Sequence, residues 1–174
     1  MSMKSVLTVA ALGTLLAAGA ASAQQAPNPL DAIPDKMPFD IPYGAPISLE
    51  KAEAALSAAV ADAKKRDWKM NCAVVDSGAN LVAFQRMDGA QLASISIAEH
   101  KARTAALFRR ESKIFENAIQ SGTHYVMTLD GMIGSRGGIP LVEGGRMIGA
   151  IGCSGGTGSQ DEVVAKTGAA TINK

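Results

Sequence analysis

Apolar residues recur every three to four positions in some stretches of this chain, and every two or in unbroken runs in others. That contrast predicts its elements. From Ser48, a good N-cap followed by Glu50, the residues Leu49, Ala52, Leu56, Ala59, Val60 and Ala63 fall at helical spacing. An amphipathic helix is therefore expected up to about Asp67. Residues 70–76 form a β-rich run, Ser77-Gly78-Ala79-Asn80 a turn and residues 81–87 a second run, which together read as a β-hairpin closed by Asp88-Gly89. The helical period returns over residues 91–110, with Ile95, Ala98, Ala102, Ala105, Ala106 and Phe108 as core contacts. A second helical piece over residues 111–120 is stopped by Gly122. Residues 125–129 read as a short strand before an Asp130-Gly131 turn. Residues 139–142 and 146–153, joined by Glu143-Gly144-Gly145, make a second hairpin. Ser159 with Glu162 three residues later reads as a capping box that opens a last helix through about Ile172. This order predicts an α/β fold with a central antiparallel sheet of about five strands flanked by helices.

Two segments of different character precede this pattern. Lys4, an apolar run over residues 6–20 and the small residues Ala21-Ser22-Ala23 read as a secretory signal over residues 1–23, cleaved after Ala23. The run is roughly 15 residues, short of the about 20 that a membrane span needs. Residues 24–47 then hold Pro27, Pro29, Pro34, Pro38, Pro42 and Pro46, interleaved with Leu30, Ile33, Met37, Phe39, Ile41 and Tyr43. Such density prevents helix, so an extended leader is expected. Its regular apolar content suggests that it lies along the domain or reaches a neighbouring subunit. Residues 48–174 make one domain.

Composition narrows the function by exclusion. The formal net charge is +1, from 17 Lys+Arg against 16 Asp+Glu, and removing the signal takes Lys4 with it. A neutral mature chain is not built to bind nucleic acid, and no membrane association is expected once the signal is gone. At 47% hydrophobic residues it is not a disordered chain either. Two Cys and two His cannot make the usual all-thiolate or three-histidine zinc sites. An exported chain meets an oxidising compartment, where Cys72 and Cys153 can pair if their strands are neighbours. The reading leans instead to two buried small hydrophobes.

Among candidate sites, His100 stands out. On a helix it shares a face with Ile97, Thr104 and Leu107. A neutral imidazole on a mainly apolar face suits an iron centre, and Arg103, Arg109 and Arg110 suit acidic groups at the edge of such a ligand. An ordinary, partly solvated helix histidine is the alternative. His124, in a loop beside Tyr125, is a second candidate ligand or a surface residue. Met70, Met87, Met127, Met132 and Met147 are thioether candidates, although Met is usually core filler. The glycines over residues 152–158, ahead of the last helix, present backbone N–H groups that suit a small carboxylate. The Lys-[Ser/Thr] of a phosphate loop is missing, and a tight strand-to-helix connection explains them equally. Asp76, Arg86 and Asp88 are explained by turns and a local ion pair. No serine stands in a nucleophile elbow, so no catalytic residue is assigned.

Taken in order, Ala73-Val74-Val75-Asp76 with Gly78 and Leu81, Arg86-Met87-Asp88-Gly89-Ala90, and Lys101-Ala102 with Thr104-Ala105-Ala106 and Phe108 resemble the GlcG/HbpS family. Gly137-Gly138-Ile139-Pro140, Ile148-Gly149-Ala150-Ile151-Gly152 and Gly158-Ser159-Gln160-Asp161-Glu162 extend the resemblance from about Ser48 to the end. It implies a GlcG/HbpS-like domain with profilin-like layering, similar to the carboxy-terminal domain of PduO-type proteins. It also implies a homo-oligomer and haem as cofactor, and it carries no axial ligand over. The resulting expectation is an exported protein, periplasmic or extracellular, that binds haem for capture, storage or sensing and has no catalysis of its own. Iron would be met by His100, or alternatively His124, and propionates by Arg103 or backbone donors. Thr104 lies on the same helix face, and Ile97 and Leu107 supply apolar contact. The alternative is a periplasmic small-carboxylate-binding or accessory protein linked to glycolate or diol metabolism. A haem-degrading enzyme ranks third.

Overall fold

The computed structural model describes residue 28, residues 31–37 and residues 39–174. The expected signal over residues 1–23 lies outside the described residues. The chain divides into two units, Met1–Asp35 and Lys36–Lys174. In the described part of the first, the Asp31 N–H donates to the Asn28 carbonyl at 2.9 Å. The second unit carries every regular helix and strand described below.

That unit contains α1 (Leu49–Lys65), β1 (Asn71–Asp76), β2 (Leu81–Arg86), α2 (Ser94–Leu107) and α3 (Lys113–Gln120). A 3-10 helix (His124–Thr128), β3 (Gly138–Glu143), β4 (Arg146–Ser154) and α4 (Gly158–Ala169) follow. The four strands form one antiparallel sheet in the order β2-β1-β4-β3. Each hairpin is local, and the sheet is completed by pairing β1 with β4 between them.

The side-chain alternation of β1 and β4 splits the core into two layers. Cys72, Val74, Ile151 and Cys153 face Ala52, Ala55, Leu56 and Ala59 of α1 and Val164, Ala165 and Ala169 of α4. Ala73, Val75 and Ala150 face Ala98, Ala102, Ala105 and Ala106 of α2. Because both faces are covered, β1 is buried almost throughout and reads as a continuous apolar run. The second layer is made almost wholly of alanine, so α2 lies very close to the sheet. A Cβ added at Gly152 would stand 2.2 Å from the Ala98 carbonyl oxygen and 2.4 Å from the Ala102 nitrogen.

Four of the sequence expectations change. The sheet has four strands rather than five, because residues 125–129 are not a strand: the 3-10 helix takes up residues 124–128. Only Val126 of that segment is buried, while Tyr125 and Met127 are exposed, and the Thr128 hydroxyl donates to the Tyr125 carbonyl. One inward side chain in a tight turn imitates the period of a strand without a sheet face to cover. The capping box at α4 belongs to Thr157 and Gln160, two residues before the expected pair. Thr157 is extended, its Oγ1 accepts the Gln160 N–H, and Gln160 Oε1 accepts the Thr157 N–H at 2.8 Å. Leu49, counted among the apolar residues at helical spacing in the first helix, is 55% exposed, whereas Ala52, Leu56, Ala59, Val60 and Ala63 are buried.

The fourth change concerns the cysteines. Cys72 and Cys153 are directly opposite on β1 and β4, with Cα atoms 4.2 Å apart, and form a disulfide beneath α1 and α4. Close approach of this kind is a feature of one class of antiparallel pair, and only the pairing of the two hairpins creates it.

The second half of the leader is a strap against this domain. Tyr43 pairs with Met147 as an isolated parallel bridge, and the Gly44 and Ile47 N–H groups donate to the Met147 and Ile148 carbonyls, each at 2.8 Å. The strap thus meets the start of β4 just before β1 becomes its partner at Gly149. The Tyr43 hydroxyl donates to the Leu107 carbonyl at 2.8 Å, satisfying one of the free carbonyls at the C-terminal end of α2.

Candidate functional site

Helix α2 presents two chemically different faces. Its alanine face is pressed on the sheet, and Lys101 reaches from it to Asp161 in the first turn of α4, Nζ to Oδ2 2.6 Å. Both side chains are almost fully buried, and Nζ also donates to the Cys153 carbonyl at 3.3 Å. Burial pushes the Asp161 carboxyl above its ordinary value, opposed by Lys101 and by the Gly156 N–H. Nothing in the sequence reading singled out this pair.

On the opposite face, His100, Arg103 and Leu107 are exposed. His100 and Arg103 line a hollow of about 340 Å³ together with Gly131 and Met132 of the loop before β3. Thr104, on the same helix, is fully buried. The Thr104 hydroxyl donates to the Gly131 carbonyl at 3.1 Å and accepts the Ile133 N–H at 2.9 Å, so the loop is fastened to the helix. Gly131 has φ of +74°, a left-handed turn, and a Cβ there would stand 2.9 Å from Leu107 Cδ1. A larger residue would crowd this wall.

The sequence-predicted residues therefore separate. His100 and Arg103 share one hollow, with Leu107 beside its Gly131 wall. Thr104 is buried and spends its hydroxyl on the loop. Ile97 is half-buried, a turn before His100. His124 starts the 3-10 helix, exposed, and does not line the hollow. Of the three candidate arginines, Arg109 donates to the Ile41 carbonyl and lies over the Tyr43 ring. Arg110 stacks on Phe39 at 3.4 Å. Arg103 alone of them has no ion-pair or hydrogen-bond partner among the described residues.

The glycine loop ahead of α4 uses its donors internally. The Gly156 N–H donates to Asp161 Oδ1 at 3.0 Å, and the Thr157 N–H to Gln160. The place a small carboxylate would take is filled by the protein's own aspartate. Asp76 Oδ1 accepts the Gly78 and Asn80 N–H groups, as a turn requires. Arg86 and Asp88 do not form the expected ion pair. They line a separate hollow of about 410 Å³ with Lys64 and Lys69. Ser154, the nearest approach to a nucleophile elbow, is buried and bonded to Ser94. Among the described residues no helix is long and apolar enough to cross a membrane, and no group of three or more His, Cys, Asp or Glu is placed to hold a metal ion.

Comparison with known proteins gives these features a context. A family model described as "Haem degrading protein HbpS-like" matches residues 47–170. Protein GlcG of Escherichia coli (strain K12) is 41% identical over 108 residues, which cover 62% of this chain and 81% of that protein. Among solved structures, a doubly substituted form of Streptomyces reticuli HbpS superposes with a TM-score of 0.70 at 28% identity, covering 82% of this chain and 98% of that one. A PduOC:heme complex superposes with a TM-score of 0.67 at 27% identity, covering 74% and 96%.

Proposed function

We infer that this chain, which belongs to the HbpS-like family, is an exported protein that binds haem through His100. The observation that carries the reading is an exposed imidazole lining a hollow together with a thioether and a guanidinium that has no partner among the described residues. That donor set suits haem. An imidazole ligates iron, Arg103 suits a propionate, and the flanking Leu107 and half-buried Ile97 suit an apolar porphyrin face. Apolar contact contributes roughly 25 cal/mol for each Å² withdrawn from water. Bound haem would supply a redox-active iron, and the chain would orient it and limit its access to solvent. The haem named in the related PduOC complex supports the ligand.

Export is supported by the signal-like residues 1–23 and by the disulfide, which persists in oxidising compartments. Exposed Leu92, Tyr125 and Met127 support the expected self-association into a homo-oligomer.

Haemin titration of the purified protein tests the ligand. Wild type is expected to give a saturable, shifted Soret band. His100→Ala should lose or displace that band, whereas His124→Ala should leave it in place. An unchanged spectrum and affinity in His100→Ala would overturn the assignment of the imidazole.

A further inference from the structure

The chain leaves α2 through two successive arginines. The Arg109 N–H donates to the Ala106 carbonyl and the Arg110 N–H to the Ala105 carbonyl, and Arg109 has φ of +53°. This is the left-handed helix ending in which glycine is usual, and here the position carries a long cation instead. Both arginines line a groove of about 510 Å³, together with Phe39 and Ile41 of the strap, Ile114 of α3, and Ile139, Pro140 and Val142 of β3. That is the size of a small-molecule site.

The other polar side chains that line the groove are already paired. Glu111 meets Lys113 at 2.7 Å and Lys166 at 3.5 Å, and Lys113 also meets Glu162. Asn173 accepts the Val142 N–H at 2.7 Å and donates to the Pro140 carbonyl at 3.0 Å. The Gly138 N–H and carbonyl are bonded to Ser112, and Pro140 has no N–H. A strand from another chain would therefore find these ladder groups of the β3 edge taken. Neither arginine meets a carboxylate among the described residues. Arg109 donates to the Ile41 carbonyl, and Arg110 donates only through Nε, to the Phe108 carbonyl. Burial holds the Arg110 guanidinium below its ordinary value, and the like charge of Arg109 adds to that shift. An anion beside them would offset both effects.

We propose that this groove binds the anion of a medium-chain fatty acid, its carboxylate on Arg109 and Arg110 and its tail against the isoleucines and Val142. Guanidiniums receive a carboxylate through paired hydrogen bonds. The wall is aliphatic apart from Phe39, and that ring already carries Arg110 at 3.4 Å. Among the described residues no other aromatic ring lines the groove, so a flexible chain fits it better than a planar acid. Because Phe39 and Ile41 belong to the strap, the leader builds part of this site. Nothing in it depends on bound haem.

Calorimetric titration of the purified protein with dodecanoate, kept below its micelle-forming concentration, tests this. Saturable binding is expected with dodecanoate and none with acetate or dodecyltrimethylammonium, which separate the head from the tail. Arg110→Gln should weaken binding about tenfold or more. Ile114→Asp, at a position 41% exposed, should abolish it. In wild type, dodecanoate should shift the amide NMR signals of Arg110, Ile114 and Val142. That map needs no variant, so the outcome does not depend on how either variant folds. No saturable binding, equal binding of the cationic amphiphile, wild-type affinity in Arg110→Gln, or shifts confined to other residues would overturn the proposal. Haemin serves as competitor. Dodecanoate that still binds in its presence supports a separate site, whereas displacement by haemin overturns the fatty-acid assignment and gives the groove to the porphyrin.

Discussion

Lys101 and Asp161 meet at 2.6 Å inside the protein, tying the middle of α2 to the first turn of α4. The two side chains are 1% and 3% exposed, so each charge depends on the other for compensation. Removing one partner of such a pair leaves an uncompensated buried charge and costs about 3–5 kcal/mol. Lys101→Met is expected to lose stability in that range at neutral pH, measured by urea unfolding. The carboxyl of Asp161 is already raised by burial, and Lys101 is the main group opposing that shift. Without Lys101 the folded state holds the proton more tightly than the unfolded state. Stability of Lys101→Met should therefore be greatest below the ordinary aspartate range near about 3.9 and fall as pH rises through the raised folded-state value. Asp161→Asn removes the carboxyl and should show no such recovery in acid. Equal pH profiles for the two variants would count against this account.

Cys72 and Cys153 close a loop of 81 residues in sequence. A cross-link of that length restricts the unfolded chain, and loss of a native disulfide costs about 2–5 kcal/mol in small secreted domains. The double variant Cys72→Ala, Cys153→Ala should unfold at lower urea concentration by that amount. Dithiothreitol should destabilise wild type and leave the variant unaffected. Both sulfurs are buried, so native wild type should yield no reactive thiol until it unfolds. Equal stability of variant and wild type would remove the cross-link from the account of the fold.

The approach of α2 to the sheet is set at Gly152, where an added Cβ would meet backbone atoms that cannot rotate away. Gly152→Ala should therefore cost more than about 3 kcal/mol, or displace α2 outright. Gly144, at the tip of the β3–β4 hairpin, has φ of +55° and open space around it. Its alanine variant should cost only the left-handed penalty of about 1–2 kcal/mol. Since His100 rides on α2, Gly152→Ala is also expected to weaken haem uptake where Gly144→Ala does not. Thermal unfolding and haemin titration of the two variants together check this.

Much of the architecture was legible because each element has its own period. The alanines of α1 and α2 recur at helical spacing because one face of each helix is buried, and the two hairpins are joined by short glycine-containing turns. The burial of Lys101 left a trace of the same kind, since it stands three residues after Ala98 and four before Ala105. A lysine there was readable as belonging to the buried face of α2. Its partner was not readable, because Asp161 points inward only when α4 starts at Thr157. Residues 125–129 were misread for the opposite reason: one buried valine between exposed neighbours looks the same in a strand and in a 3-10 turn.

The candidate site divides along the same line. Helical geometry alone puts His100, Thr104 and Leu107 on one face, since that depends only on the rise and turn of the backbone. Which of five methionines lines the same hollow as His100, which arginine has no partner among the described residues, and whether two cysteines touch are decided by contacts between remote segments. Local periodicity records which face of an element is buried. It carries no record of which distant element does the burying, because that depends on the register and packing of the whole domain.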